Sequence, residues 1–331
     1  MIRYKVRRWL VKLRKLSQVR LKIKKAHYKD DKITLYDILV VFFRKLKHDD
    51  ILDRSAGVAF SFTIAIFPSI IFLFTLVPYI HQFIPEVDNQ NIMEFLSSWI
   101  PPNMFSVIET TIVDIIGKSR GGLLTLGAVF ALILASNGTM ALMNAFNSIY
   151  KTKENRSWFR MRLIAAGLTL ILAFTLLLSI VLLFVGEIIL NLIETLVIDI
   201  DSLPFNINTA ILLRFIVLFI VFGFAVSSLY YFAPAVHYKW QFFSFGAIFA
   251  TFFSLGISYL FSIYIANFAT YNKLYGSIGV MIALMVWLYL ISVVLLLGYS
   301  INASIHSVQY LHQINELKVK NGEPKLVTTP D

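Results

Sequence analysis

Five polar side chains interrupt runs that are otherwise apolar: Asn137, Asn144, Asn147, Tyr150 and Asn302. A carboxamide facing hydrocarbon without partners costs several kcal/mol, so such groups must turn toward protein or water. Asn137 and Asn144 stand seven residues apart and fall on nearly the same side of a helix, where they are expected to point inward. Two uses fit that pattern. One is hydrogen bonding between helices, and the other is lining a hydrated cavity or substrate path with Asn147, Tyr150 and Asn302.

Chemistry of bond making and breaking is not visible in the same way. The chain has no cysteine, which removes thiolate nucleophiles, disulfides and cysteine metal sites. Its histidines, His27, His48, His81, His237, His306 and His312, show no metal-ligand spacing, and no GxSxG elbow accompanies the many serines. Gly117, Lys118 and Ser119 spell the end of a phosphate loop, but Ile112 stands where its first glycine belongs. Paired carboxylates in the middle of an apolar run are missing too. The residues therefore point to no catalytic set, no metal, no cofactor and no ATP motor, hence to a protein that is not an enzyme.

The elements that carry these residues are long apolar segments. Hydrophobic residues make up 58% of the 331, more than a soluble core of this length would bury, so a bilayer is the natural solvent. Six runs reach the roughly 20 residues that cross about 30 Å of hydrocarbon: Ala56–Ile80, Leu123–Phe146, Leu163–Gly186, Ala210–Phe232, Phe242–Phe268 and Ser277–Ile301. The first begins only after a long basic segment, too far in for a cleaved signal, and is expected to stay in the mature protein. The reading is all-α, a polytopic membrane protein of six transmembrane helices with amphipathic N-terminal and external helices. It divides into a basic amphipathic segment over 1–50, a transmembrane domain over 51–305 and a tail over 306–331, with a disordered end after Asn315.

Basic residues set the orientation, because Lys and Arg favour short cytoplasmic loops. Residues 1–55 hold 17 of them, and the loop after the second run holds Lys151, Lys153, Arg156, Arg160 and Arg162. The opposite loops are acidic or nearly uncharged, so both termini are expected in the cytoplasm. Two outer stretches, 104–116 and the continuation through Ile188, Leu192 and Leu196, keep helical spacing and read as external amphipathic arms. Arg214, beside the acidic arm, is expected to snorkel or pair with an acid.

Arg3, Lys5, Arg7, Arg8, Lys12, Arg14 and Lys15 flank an apolar face of Ile2, Val6, Trp9, Leu13 and Leu16. Such a helix lies on a membrane, its bases touching anionic lipid head groups, and lipid rather than nucleic acid is its expected partner. Thr34–Leu46 reads as a second flat helix capped by Thr34. Within the spans, Pro68 removes a backbone hydrogen bond and is a candidate hinge, with Tyr275, Gly276 and Gly279 as a second bending point. Gly246, Ala250, Ser254, Ser258, Ser262 and Ala266 recur every four residues and read as a helix-packing seam, with a substrate path as the alternative. A homo-oligomer or partner membrane proteins are left open by the sequence.

Several patterns taken in order resemble the YihY/BrkB family of bacterial inner-membrane proteins. These are Ala56-Gly57-Val58-Ala59-Phe60 leading to Phe67-Pro68, then Asn144 with Asn147 and Tyr150, then Leu229-Tyr230 with Pro234, then Trp240 with Gly246-Ala247. Tyr275-Gly276-Ser277-Ile278-Gly279 and Trp287-Leu288-Tyr289 follow, so the resemblance covers about Asp50 to Asn302. Members often close the last span with Gly-Ala-Glu before an Asn. Here Gly298, Tyr299 and Ser300 precede Asn302, so no role of that glutamate carries over. The resemblance implies a six-span fold in the bacterial cytoplasmic membrane and, through members linked to virulence or lipid export, an ATP-independent transporter or lipid-translocating protein. A scaffold that binds partners is the alternative. The ribonuclease label attached to some members has no support in the residues here.

Overall fold

The computed structural model describes residues 34–80, 121–196, 207–236, 241–266 and 269–321, with the isolated positions 93 and 324. Side chains at 67–80, 121–128, 180–181, 183–196, 207–214, 266, 269–278 and 280 fall outside that description. The basic segment with Arg3, Lys5, Arg7, Arg8, Lys12, Arg14 and Lys15, the arm over 104–116, and the side chains of Pro68, Arg214, Ala266, Tyr275 and Gly276 thus lie outside the described residues.

Seven helices run through the described residues: α1 (Leu35–His48), α2 (Ile51–Ile80), α3 (Gly121–Tyr150), α4 (Trp158–Leu196), α5 (Ile207–Phe232), α6 (Phe245–Ala266) and α7 (Ala269–Lys320). Five of them, α3 to α7, are long and apolar enough to cross a membrane. The remaining expected crossing coincides with α2, which is helical over 30 residues, including both sides of Pro68. From α2 onward consecutive helices pack in chain order, and α7 returns to pack on α2 and α3, closing the bundle.

Local chemistry explains the ends. Thr34 caps α1, its hydroxyl oxygen accepting from the Asp37 amide at 3.4 Å, and Lys45, Lys47 and His48 occupy the last turn, where cations suit the helix dipole. The helix does not simply lie flat: Ile38 and Val41 pack on Ile305 and Val308, docking α1 against α7. At the end of α3 the Thr152 amide donates to the Asn147 carbonyl at 2.9 Å while Lys151 takes a left-handed φ of 57°, a Schellman stop with lysine where glycine is usual.

Two helices outrun the sequence-based limits. α4 reaches Leu196 over 39 residues, about 58 Å at 1.5 Å per residue, so the arm expected beyond the span is continuous with it. α7 spans 52 residues from Ala269 to Lys320. Its start absorbs the turn expected at Tyr275, Gly276 and Gly279, where the backbone is helical, and its end orders residues past Asn315 expected to be loose. The extension packs on α1 through Ile305 and Val308, while its last turns, with Leu317 and Val319, are exposed.

The core gathers around Phe146, Tyr230 and Tyr299. Phe146 stacks on Tyr299 with centroids 4.3 Å apart and meets Tyr230 edge-on at 5.5 Å. The Tyr230 hydroxyl donates to the Leu295 carbonyl at 2.6 Å, so this buried phenol ties α5 to α7. On the outside, Phe174 and Leu177 of α4 and Phe252 of α6 are more than half exposed, the surface a lipid-facing helix presents.

The seam on α6 holds from Gly246 to Ser258. A Cβ at Gly246 would sit 2.0 Å from the Gly298 carbonyl oxygen, and one at Gly298 would sit 2.8 Å from the Ala250 Cβ, so α6 and α7 touch backbone to backbone. Ser254 is buried, and Ser258 accepts from the Trp287 indole at 3.3 Å. Ser262 is exposed and packs in no seam within this chain. The reason is geometric: a four-residue repeat gains about 40° per step on a 3.6-residue helix, so Ser262 lies roughly 160° around from Gly246. Gly246→Ala is expected to destabilise the protein by about 1–3 kcal/mol through overpacking, whereas Gly256→Ala, whose Cβ meets nothing within 4 Å, should be neutral or slightly stabilising. Thermal unfolding of matched detergent preparations checks the contrast.

Candidate functional site

The polar residues singled out in the sequence do not converge on one cavity. Asn302 is buried, accepting from the Gly246 amide at 2.8 Å and donating to the Ser244 hydroxyl at 2.6 Å. Ser244 in turn accepts from the Ala247 amide at 3.3 Å. The two side chains together cap α6, whose first N–H groups would otherwise be stranded inside the protein. The half-buried Asn137 accepts from Arg162 at 2.6 Å, and the same guanidinium donates to the Ile133 carbonyl at 2.8 Å, fastening α4 to α3. Asn144 corrects the inward expectation: it is exposed. It lies six residues from the end of α3, on the stretch that Arg162 does not cover.

Asn147 and Tyr150 fasten other elements to the same end of α3. The Tyr150 hydroxyl and His306 Nδ1 share a hydrogen bond of 2.5 Å, and the Lys45 ammonium sits 6.0 Å from the Tyr150 ring centroid while donating to the Ile149 carbonyl at 3.1 Å. Burial lowers the Lys45 pKa from its ordinary value. Asn147, 5% exposed, donates to Glu154 Oε2 at 2.7 Å and accepts from the Ala235 amide at 2.7 Å. Glu154 also accepts from Arg156 through Nε at 2.8 Å and Nη2 at 2.7 Å, and Arg156 Nη2 reaches the Ala233 carbonyl at 2.8 Å. This network binds the α3–α4 connection to the chain that leaves α5.

In front of that network lies a cleft of about 850 Å³ between the start of α4 and the end of α5. One wall is apolar, made by Ile164, Leu168, Ile171 and Phe232, with Gly167 as a notch where an added Cβ would meet nothing within 4 Å. The mouth is polar, made by Asn155, Ser157 and Arg160. Asn147 does not line it but holds Ala235, which does. A second cavity of about 630 Å³, of mixed polar and apolar lining, lies between Tyr150 and the α7 extension at His306, Gln309, Leu311 and Gln313. Reading the sequence assigned Arg156 and Arg160 to topology alone. The available signal was their place beside a helix start, seven and three residues ahead of the apolar run that begins at Leu163.

The bundle and its lipid-facing surface define an integral, polytopic α-helical membrane protein. Residues 42–321 match the model of the family described as Virulence factor BrkB, and the chain belongs to that family. It is 34% identical over 264 residues to the "Putative ribonuclease-like protein YfkH" of Bacillus subtilis (strain 168), a match covering 79% of this chain and 92% of that protein. No solved structure matches the chain.

Two expectations follow from the network. Asn302→Ala strands the buried Gly246 amide and removes one of the two bonds at Ser244, and should cost about 1–3 kcal/mol, while Asn144→Ala at its exposed position should stay within about 0.5 kcal/mol, both read by thermal unfolding. Hydrogen bonds from Arg156 hold the Glu154 carboxyl below its ordinary value of 4.5. A depressed carboxylate pKa stabilises the fold above the ordinary range and loses that contribution as pH falls through the lowered value. Unfolding temperatures of the parent should therefore drop below pH 4.5 more steeply than those of Glu154→Gln.

Proposed function

We propose that the protein is an ATP-independent transporter that moves lipid or a comparable amphiphile across the bacterial cytoplasmic membrane, with six crossings and both termini in the cytoplasm. The observation that carries this reading is the α4–α5 cleft, whose polar mouth and apolar wall match a molecule with one wet end and one greasy end. The alternation of basic and acidic loops supports placing that mouth at the cytoplasmic face. The intramembrane amides enter as fasteners that shape the cleft, with Asn147 behind its wall.

A scaffold without transport is the second reading, and the pairing of Asn137, Asn147 and Asn302 with protein groups favours it. The nucleolytic reading in the YfkH name asks for an acid or histidine free to act, and Glu154, the acid nearest the cleft, is bonded to Arg156 and Asn147. Purified protein in liposomes with labelled phospholipids separates these. Transport predicts transbilayer movement several-fold above protein-free liposomes, brought near background by Gly167→Leu, which fills the notch without a clash at Cβ. Equal rates with and without protein would leave the scaffold.

A further inference from the structure

The two arginines at the cleft are not equivalent. Arg156 is held by Glu154 and by the Ala233 carbonyl, so its charge is largely neutralised and its donors are occupied. Arg160 is exposed at the mouth, and its guanidinium makes no hydrogen bond or ion pair among the described residues; its backbone amide donates to Ser157 Oγ at 3.4 Å. A free guanidinium presents a fork of donors that matches the oxygens of a phosphate.

Resting on the amphiphile reading above, we propose that the α4–α5 cleft is a binding site for an anionic diacyl phospholipid, with Arg160 holding the head-group phosphate. Ser157 and Asn155 stand beside Arg160 as further donors for the polar head. From Arg160 to Ile171 the helix rises about 16 Å, enough to lay the upper part of an acyl chain along Ile164, Gly167 and Leu168. The volume of about 850 Å³ accommodates the head and the first part of the chains, leaving the tails to the bilayer. Net charge decides the lipid class. Glu154 is already neutralised by Arg156, so the mouth presents the uncompensated charge of Arg160, which favours a head group without its own cation over a zwitterionic one.

The test is residue-resolved photolabelling of the full-length protein in mixed micelles, using phosphatidylglycerol or phosphatidylcholine with a photoreactive acyl chain. Labelled peptides are mapped by mass spectrometry. The expected result is phosphatidylglycerol label concentrated at residues 164–171, with phosphatidylcholine labelling the same peptide weakly. Arg160→Gln should lower the phosphatidylglycerol label there by about tenfold, the size of one lost charge-assisted contact, while label on other peptides stays constant and reports that the fold survives. Arg160→Lys should restore part of it, and excess glycerol phosphate should not compete.

Equal labelling by the two lipids, or an unchanged pattern in Arg160→Gln, would overturn the assignment. Competition by glycerol phosphate as effective as by unlabelled lipid would overturn it in another way, leaving a phosphate site and no lipid site. Labelling reads occupancy and not movement. Selective label in a protein that fails to move lipid in liposomes would therefore sink the transport reading and keep this one.

Discussion

Hydrocarbon offers no hydrogen-bond partner, and the architecture of this chain follows from that single shortage. Most buried hydroxyls answer it locally: Ser55, Thr63, Thr251 and Ser304 each donate to the carbonyl four residues back, so each is satisfied without help from another helix. Carboxamides cannot do this, having donors and an acceptor to place, and they are where helices become joined. The start of α6 shows the consequence. Its first amides lie inside the protein, so α7 must bring Asn302 to cap them, and that is possible only because Gly246 and Gly298 let the two backbones approach. A cap, a pair of glycines and an interhelical seam are thus one device.

Much of the bundle is legible in the sequence because its grammar is the length of apolar runs. Each of the six expected runs falls within or largely over a helix, and Thr34 is the cap of α1 where the sequence places it. Ends are less legible. The runs stop where apolar residues stop, whereas helices stop where packing or capping stops them, and α7 goes on past Ile301 to pack Ile305 and Val308 on α1 before ending at Lys320. Ser244 is the instructive miss: a serine just ahead of a helix is a start signal, yet the apolar Phe242 and Phe243 draw the boundary three residues too early.

The polar residues are legible as exceptions but not in their use. Seven-residue spacing puts Asn137 and Asn144 on one side of α3, and that geometry holds, but a helix face is not uniformly covered along its length. Arg162 reaches the first and leaves the second open. Which residue of a face meets a partner depends on where neighbouring helices begin and how they cross, and neither is written in a single segment. The four-residue seam fails for a related reason, since its drift around the helix makes it straight on paper and spiral in space.

The cleft could not be found by reading the intramembrane amides as its lining, because none of them lines it. It arises at the boundary, where the chain leaving α5 is pulled onto the α3–α4 connection by Asn147, Glu154 and Arg156. That pull leaves the first turns of α4 uncovered on the side of Ile164 and Gly167. Charges that a topology argument counts only for sidedness therefore divide into two tasks, one arginine fastening the wall and the next left facing outward at the mouth. A basic loop beside an apolar helix start is common in membrane proteins. What distinguishes this one is an acid that neutralises the first arginine and so leaves the second as the group an incoming anion would meet.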